Sequence, residues 1–472
     1  MYRTVLTLAL TSTVMPSLAN AMDPEALASL NYPNEPIGPS IYNADSYTGN
    51  TDTPLYSKGL WFDEHGIAPH LGITQMYLAN PTAGLVRGRH ESLTLITVGA
   101  DFDLEKIAGL QGTSFHFQQA YVPYRNHLEY STEAGDVLAA RNSPYIPRVN
   151  HLTLLTVEQK LLDGRLTLEA GNSAASYYFA LPVCNIALGC ARVPDASGHN
   201  STWGLRVHYR FTDALSTQAG IWRTNDAYPF TNGWEIGPGD SGGQVSNAIF
   251  ANVAYRTNYQ KDTYPLSLEA VGFHNTLTSK DPYYTVAGTS RFDDPDLPLK
   301  TKKGMNGFHL NGKKTFWRAD GGVVKNEPNP TALVGYMAGY GMLDEEVANG
   351  QQAQLSTGII LEAPFRSRPF DTWSVSAHWV RQTAHEQSFL RGAYASVGST
   401  YKAPRTEHSL DLDANIVLTN GVVVSPYIKY VWNPSSLNAP YSGKQGHDGI
   451  AAGFLFHIQL ETLLGLDAGL KR

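Results

Sequence analysis

The chain is poor in charge, in cysteine and in long apolar runs. Charged residues make up 16% of it, against roughly 25% in typical soluble domains. The formal net charge of −7 gives no reason to expect nucleic acid as a partner. Beyond the N-terminus no run of about 18 consecutive apolar residues occurs, so no membrane-spanning helix is predicted. The chain is instead rich in glycine (43) and tyrosine (26), which favours a large β-protein or a barrel.

The N-terminus has the pattern of an export signal. The stretch "MYRTVLTLALTSTVMPSLANA" has one early arginine, a modest apolar core and a small-x-small ending, as secretory signal peptides do. This pattern predicts a signal peptide at residues 1–21, an N-terminal leader or plug segment at 22–60, and a barrel domain at 61–472. A buried N-terminal helix of an ordinary domain is the alternative.

The two cysteines are Cys184 and Cys190, six residues apart in "CNIALGC". After export they would meet an oxidising compartment, so a disulfide between them is predicted. Two free buried thiols are the alternative. No further cysteine or paired histidine stands nearby, and neither a metal site nor a cofactor is predicted.

Period-two alternation begins after residue 66 and predicts about sixteen strands, the last ending near residue 460. One of them is predicted over residues 92–108. The connections alternate in length, and the long ones are predicted at 127–150, 176–201, 226–244, 280–306 and 385–405. Tight turns at one end and large loops at the other are typical of a transmembrane β-barrel. The fold class predicted is therefore all-β, a sixteen-stranded antiparallel barrel.

The stretch "TWGLRVHYRF" shows what the two faces of such a strand carry. Alternate residues point to opposite sides of a sheet, so Leu205 and Val207 share one face while Arg206, His208 and Arg210 share the other. In a lipid-embedded barrel the apolar face looks outward and the polar face lines water. In a soluble barrel the faces are reversed. The export signal, the loop asymmetry and the even strand count favour the membrane.

Several segments resemble the OprB-type carbohydrate-selective porin family. They include "LTVEQKLLDGRLTLEAGNSAAS", "TWGLRVHYRFTDALSTQAGIW" and "PYIKYVWNPSS". The resemblance implies an outer-membrane barrel of sixteen strands that admits sugars by diffusion through a constricted pore. Glu158 falls on the family's "EQ" acid and Arg206 on the first arginine of its "RLRY"-like strand. His208 stands where the family often has a second arginine, and Glu169 where an arginine is common.

A sugar channel needs groups for hydroxyls and groups for apolar sugar faces. Arginine and carboxylate side chains form short, directional hydrogen bonds, and aromatic rings offer flat apolar surfaces. Binding must stay weak enough for exit. The segment "SYYFALPVCNIALGC" is predicted to fold inward as a constriction loop. The candidate substrate-binding residues are Glu158, Glu169, Arg206, His208, Arg210, Tyr177, Tyr178, Phe179 and Trp222.

These candidates have alternative roles. The aromatic residues also suit an interface girdle or loop packing. Arg206 is predicted to face the lumen, because an arginine facing lipid near the midplane costs roughly 2–4 kcal/mol. Whether it touches sugar or only sets the electric field is left open.

The function predicted is a bacterial outer-membrane channel for mono- or oligosaccharides, and no enzyme. Its expected partners are small sugars and outer-membrane lipid, with a homotrimer left open. A general, non-selective porin is the nearest alternative. A secreted β-rich glycoside hydrolase is a further one and needs two carboxylates roughly 5–10 Å apart. The protease-like "GPGDSGG" around Ser241 lacks the context of a catalytic triad.

Overall fold

The structure is a computed structural model of a closed antiparallel barrel, in which each strand pairs with its neighbours in the sequence. The first and last strands pair with each other and close the ring. The predicted fold class is confirmed. The described residues are 53–124, 130–136, 138, 149–179, 183–186, 201–225, 232–235, 244–324, 329–344 and 350–468. The predicted signal peptide and most of the predicted leader lie outside this part of the chain.

The wall of the barrel consists of sixteen strands. They are β1 (Ile67–Asn80), β2 (Arg89–Asp103), β3 (Thr113–Val122), β4 (Val149–Leu161), β5 (Leu166–Ser173), β6 (Thr202–Arg210), β7 (Leu215–Asn225), β8 (Val245–Arg256), β9 (Leu266–Thr285), β10 (Leu299–Arg318), β11 (Ala332–Met342), β12 (Gln351–Glu362), β13 (Thr372–Gln382), β14 (Thr406–Thr419), β15 (Val422–Trp432) and β16 (Gly449–Gln459). The helices are α1 (Tyr56–Glu64), α2 (Leu104–Ala108), α3 (Tyr130–Ala134), α4 (Ala384–Ser396) and α5 (Leu460–Leu464). None of the described helices is long and apolar enough to cross a membrane.

The strand predicted over residues 92–108 was too long at its C-terminal end. The strand stops at Asp103, and α2 follows it. The Asp103 carboxylate accepts hydrogen bonds from the backbone N–H groups of Glu105 and Lys106, at 3.0 and 3.2 Å. Gly109 ends the helix with a φ of 71°. An N-cap aspartate and a left-handed glycine thus outweigh the strand pattern here.

The long connection predicted at 280–306 was also wrong, because both flanking strands continue into it. β9 pairs with β8 only as far as Asn275, and β10 pairs with β11 from Gly307 onward. Beyond those points β9 and β10 pair only with each other. The projecting segments, residues 276–285 and 299–303, are called the ribbon below.

The two faces of the wall differ as expected for a barrel in lipid. On β6, Leu205 is 52% exposed and Val207 39%, whereas Arg206 is 2% exposed and His208 1%. The apolar side chains therefore point outward and the polar ones point into the barrel. Because hydrocarbon leaves polar groups unsatisfied, this arrangement suits a membrane wall.

The segment before the first strand meets the segment after the last strand at the barrel seam. The backbone N–H of Leu55 donates to the Leu464 carbonyl at 2.8 Å. A Cβ added at Gly59 would lie 2.2 Å from the Gly465 carbonyl oxygen, so α1 packs closely on the segment after α5. The Glu461 carboxylate accepts the N–H of Leu71 at 2.9 Å. A residue that follows the last strand thus supplies a hydrogen-bond acceptor to β1 where its pairing with β16 has ended.

Helix α4 covers part of the end that carries the long connections. Thr383 caps its N-terminus by accepting the Glu386 N–H at 3.0 Å. Its Phe389 ring stacks on Phe292, with the centroids 5.9 Å apart. His385 Nδ1 lies 2.6 Å from Asp281 Oδ2 on the ribbon. The helix and the ribbon therefore form one packed cap.

We expect this cap to loosen as the pH rises. Burial, opposed by the charge of Arg291 and assisted by that of Asp281, raises the pKa of the Glu386 carboxyl from 4.5 to about 7. Between these two values the folded cap holds a proton that the unfolded chain has lost, so stability falls by up to about 3 kcal/mol across this pH window. Hydrogen exchange of α4, corrected for intrinsic rates, should show stronger protection at pH 5 than at pH 8. Glu386→Gln should remove this difference; a difference that persists in the variant contradicts the assignment.

Candidate pore constriction

Three neighbouring strands place an arginine beside two glutamates on the inner wall. In the register of β4, β5 and β6, Glu158 lies opposite Glu169, and Glu169 lies opposite Arg206. Arg206 Nη2 is 2.7 Å from Glu169 Oε2, and Nε donates to the same oxygen at 3.1 Å. Glu158 Oε2 is farther away, 3.6 Å from Nη2. The principal partner of the arginine is therefore Glu169.

The connection from β5 to β6 has two described parts, residues 174–179 and 183–186, which are called the β5–β6 loop. Its first part folds onto this group. The Tyr178 hydroxyl donates to Glu169 Oε1 at 2.7 Å. The Arg206 guanidinium lies 4.2 Å from the centroid of the Tyr178 ring, a cation–π contact that gains strength when it is desolvated. Gln218 accepts from Arg206 at 3.2 Å and donates to the Tyr178 carbonyl. Arg206 thus joins the loop to the wall.

The predicted aromatic residues form the packing between the β5–β6 loop and the wall. Tyr178 stacks on Trp222 with centroids 5.8 Å apart, and Phe179 stacks on Phe250 at 5.4 Å. The Trp222 N–H donates to Ser173 Oγ at 3.0 Å. These rings and Tyr177 belong to one buried cluster, and none of them is more than 3% exposed. In this arrangement they hold the loop and offer no open surface to a solute.

Two glycines on the inner face make room for the indole. A Cβ added at Gly220 would lie 2.4 Å from the Trp222 ring, and one at Gly204 would lie 2.7 Å from it. Gly204 and Gly220 stand two residues from Arg206 and Trp222, respectively, on the same inward faces. Small residues at alternating inward positions are a sequence signal that a large ring lies over them.

The second described part of the β5–β6 loop, residues 183–186, reaches the opposite wall. Asn185 Nδ2 donates to Asp413 Oδ1 at 2.7 Å, and Asn415 Nδ2 donates to the Asn185 carbonyl at 2.7 Å. The Thr372 hydroxyl donates to Asn185 Oδ1. These partners lie on β13 and β14, and β13 is half the sixteen-strand ring away from β5. The loop therefore crosses the interior of the barrel, although nothing in the local sequence pointed to Asn185.

The remaining predicted residues lie beside this crossing. His208 is buried on the inner face, opposite Gln218, and Arg210 is partly exposed at the last position of β6. Cys184 is disulfide-bonded and packs in the same cluster as the aromatic residues. Cys190 lies outside the described residues, so the predicted pairing stays a prediction.

Many charges on the inner wall are paired. Arg256 Nη2 lies 3.7 Å from Glu269 Oε2, and Lys429 Nζ lies 3.3 Å from Asp411 Oδ2, much as Arg206 lies between its two glutamates. Opposite charges at such distances cancel most of each other's field. Across the described ranges, no group of three or more metal-ligating side chains is arranged to hold an ion.

The family model of carbohydrate-selective porins, OprB family, matches residues 92–468. No curated protein sequence matches the chain. The high-pH structure of Pseudomonas putida OprB superposes with a TM-score of 0.66 at 18% identity, over 84% of this chain and 95% of that one. The low-pH structure of the same porin gives 0.49 at 13% identity, over 89% and 99%. Salmonella typhi OmpF in complex with daunomycin gives 0.45 at 11%, over 84% and 99%.

Proposed function

Since the chain belongs to the OprB family of carbohydrate-selective porins, we propose that this outer-membrane carbohydrate channel selects its solutes where the β5–β6 loop crosses the barrel. The observation that carries the proposal is the attachment of the loop to both walls. Tyr178 fastens the first part of the loop to Glu169, and Asn185 fastens the second part to Asp413 on the opposite wall. A loop held on opposite walls divides the lumen and sets the width that remains open.

The pairing of the wall charges supports a preference for neutral solutes. An ion that enters the narrow region loses part of its hydration shell. The wall charges it meets are already paired with each other, as Arg256 is with Glu269, and compensate this loss poorly. A sugar can form many weak hydrogen bonds to the hydroxyl, amide and carboxylate groups of the wall, and weak bonds allow it both to enter and to leave. The geometry therefore favours a sugar-selective channel over a general porin.

In this proposal Arg206 acts on the pore by positioning the loop. Its guanidinium is buried between Glu169 and the Tyr178 ring. A passing sugar therefore meets the loop that Arg206 holds in place, and not the guanidinium itself. Direct sugar contact by the other predicted side chains remains a prediction. The family and the barrel point to a channel rather than an enzyme.

Liposome swelling tests the selective function. Proteoliposomes containing the porin should swell faster in hexoses than in amino acids or organic ions of similar size, because many of the described wall charges are already paired and attract ions less. Empty liposomes, and liposomes containing a non-selective porin, are the controls. Equal swelling rates for sugars, amino acids and ions would show a general porin and refute the selective one.

A further inference from the structure

The turn between β8 and β9, residues 257–265, places one aromatic side chain inside the mouth of the barrel. The Tyr259 hydroxyl donates to Glu362 Oε2 at 2.9 Å and lies 3.0 Å from Thr315 Oγ1. Both partners are buried on the inner wall, Thr315 on β10 and Glu362 on β12. The turn belongs to the end of the barrel that carries the short connections, and in outer-membrane barrels this end faces the periplasm. Tyr259 therefore lies at the periplasmic mouth of the pore.

The strand register leaves a space on the wall for this ring. Arg318 on β10 pairs with Ala332 on β11, and Ala332 pairs with Glu362 on β12. The Tyr259 ring spans this row, because its centroid lies 5.4 Å from the Arg318 guanidinium while its hydroxyl contacts Glu362. Ala332 in the middle of the row is fully buried. Its small side chain is what allows a large ring to lie against the wall at this point.

The turn that carries the tyrosine is held in one conformation. The Asn258 carbonyl accepts the backbone N–H groups of Lys261 and Asp262 at 3.0 and 2.7 Å. Arg318 Nη1 donates to the Thr263 carbonyl at 3.1 Å and so ties the turn to β10. A ring that is fixed in this way loses little conformational freedom when a ligand binds to it.

The Tyr259 ring keeps an open surface, unlike the aromatic residues that hold the β5–β6 loop. Tyr259 is partly exposed, whereas those aromatic residues are at most 3% exposed. The Arg318 guanidinium covers one face of the ring, so the open part is turned away from Arg318. An aromatic ring offers a flat apolar surface, which suits the C–H face of a sugar.

A lysine lies beside the ring on the same wall. Lys313 precedes Thr315 by two positions on the inner face of β10, about 7 Å along the strand, and is partly exposed. Its charge acts on Glu362, but within the described part of the chain Lys313 forms no ion pair. The three donors of its ammonium group are therefore available to the hydroxyl groups of a solute.

The tyrosine stands on the periplasmic side of the point where the β5–β6 loop crosses the barrel. Glu362 pairs with Thr372 on β13, and the Thr372 hydroxyl is one of the groups that hold Asn185 of the loop. The residue that anchors the loop and the residue that anchors Tyr259 are therefore neighbours on adjacent strands. A solute that leaves the narrow passage along this wall next meets the Tyr259 ring.

We propose that the Tyr259 ring and Lys313 form an exit subsite for neutral sugars, at which a sugar that has left the constriction binds before its release into the periplasm. The apolar face of the sugar stacks on the ring, and the Lys313 ammonium group donates hydrogen bonds to its hydroxyls. The subsite rests on the proposed sugar channel and adds a second, weak binding step to it. Several weak sites in series suit transit, because each of them must release its ligand.

Single-channel recording of the full-length porin with maltotriose as the probe tests the subsite. Under the proposed function this trisaccharide passes the constriction poorly, so it reaches the ring only from the periplasmic side. We expect it to reduce the conductance of the native porin from that side alone. Loss of stacking in Y259L should raise the half-blocking concentration about fivefold. K313Q, which leaves the turn unchanged, should raise the half-blocking concentration as well.

Two control variants separate stacking from a structural role of the tyrosine. Y259F keeps the ring and loses the hydroxyl, and it should need nearly the native concentration of maltotriose. Y264L removes an aromatic side chain of the same turn that lies close to Gly322 in the connection after β10, and it should also behave as the native porin does. Heat-modifiable migration verifies that each variant is folded.

Several outcomes would overturn the exit subsite. Equal half-blocking concentrations for native porin and Y259L would show that the ring binds no sugar. A Y259F porin that behaves like Y259L would show that the hydroxyl anchor matters and the ring does not. Absence of block, or equal block from both sides, would place sugar binding elsewhere. None of these results contradicts the sugar channel itself, which fails only if proteoliposomes swell equally in hexoses, amino acids and ions.

Discussion

Replacing Arg206 by alanine is expected to destabilise the barrel and widen the pore. The substitution leaves Glu169 and Glu158 buried without their arginine and removes the cation–π contact with Tyr178. Loss of one partner of a buried ion pair costs about 3–5 kcal/mol. The unfolding temperature in detergent should therefore fall, and single-channel conductance should rise because the β5–β6 loop is released from the wall.

A control variant at a second inward-facing arginine distinguishes release of the β5–β6 loop from simple loss of a positive charge. Arg256 also faces inward, and its carboxylate partner Glu269 lies on the neighbouring strand. Arg256→Ala should lower stability with a smaller change in conductance. Combining Arg206→Ala with Glu169→Gln should recover part of the lost stability, since it removes the orphaned charge. An Arg206→Ala porin with native conductance and stability would disprove this positioning role.

Glu158→Gln should have a smaller effect than Arg206→Ala. The Glu158 carboxylate lies 3.6 Å from Arg206, and its other oxygen lies 3.4 Å from Lys160. The closer Glu169 keeps the arginine in place when Glu158 loses its charge. Sugar preference should therefore shift only slightly.

Asn185→Ala is expected to loosen the attachment of the loop to the opposite wall, because only the hydrogen bond from Asn415 Nδ2 to the backbone carbonyl of residue 185 remains. Barrel stability should fall little. The variant loses the hydrogen bond from Nδ2 to Asp413 and those that Oδ1 accepts from Thr372 and Asn415. A hydrogen bond to a charged group contributes about 1.5–3 kcal/mol, and here that free energy holds the loop across the lumen. Conductance should rise and fluctuate more between levels.

The control for Asn185 is an asparagine bound within one wall. Asn311 Nδ2 donates to Glu269 at 2.9 Å, so Asn311→Ala removes an amide–carboxylate hydrogen bond that does not cross the lumen. Its conductance should stay near the native level. If both asparagine variants behave alike, the crossing of the loop does not control the pore.

The fold was largely predictable because its signals are local. Alternation on β6 correctly predicted that Leu205 points outward and Arg206 inward. The alternation of short and long connections correctly predicted the barrel. Helix α4 was not predicted within the long connection at 385–405, although its sequence signal is also local. Thr383 and Glu386 form the first and last positions of a capping-box pattern, which marks a helix start.

The site was less predictable because it depends on contacts between distant segments. Glu158 and Glu169 were both candidate site residues, but only the strand register and the side-chain distances show that Glu169 is the closer partner of Arg206. The bond from Asn185 to Asp413 joins residues 228 positions apart, and no periodicity encodes it. Burial of Tyr178 likewise follows from where the loop folds back.

The measurement that tests the central claim most directly is liposome swelling with a size series of neutral saccharides, comparing native porin with Asn185→Ala. If the loop held between both walls sets the open width, swelling through native porin falls steeply from mono- to trisaccharides, and the variant shows a shallower fall. The same steep dependence in both proteins would contradict the account, because the open width would then be set elsewhere in the barrel.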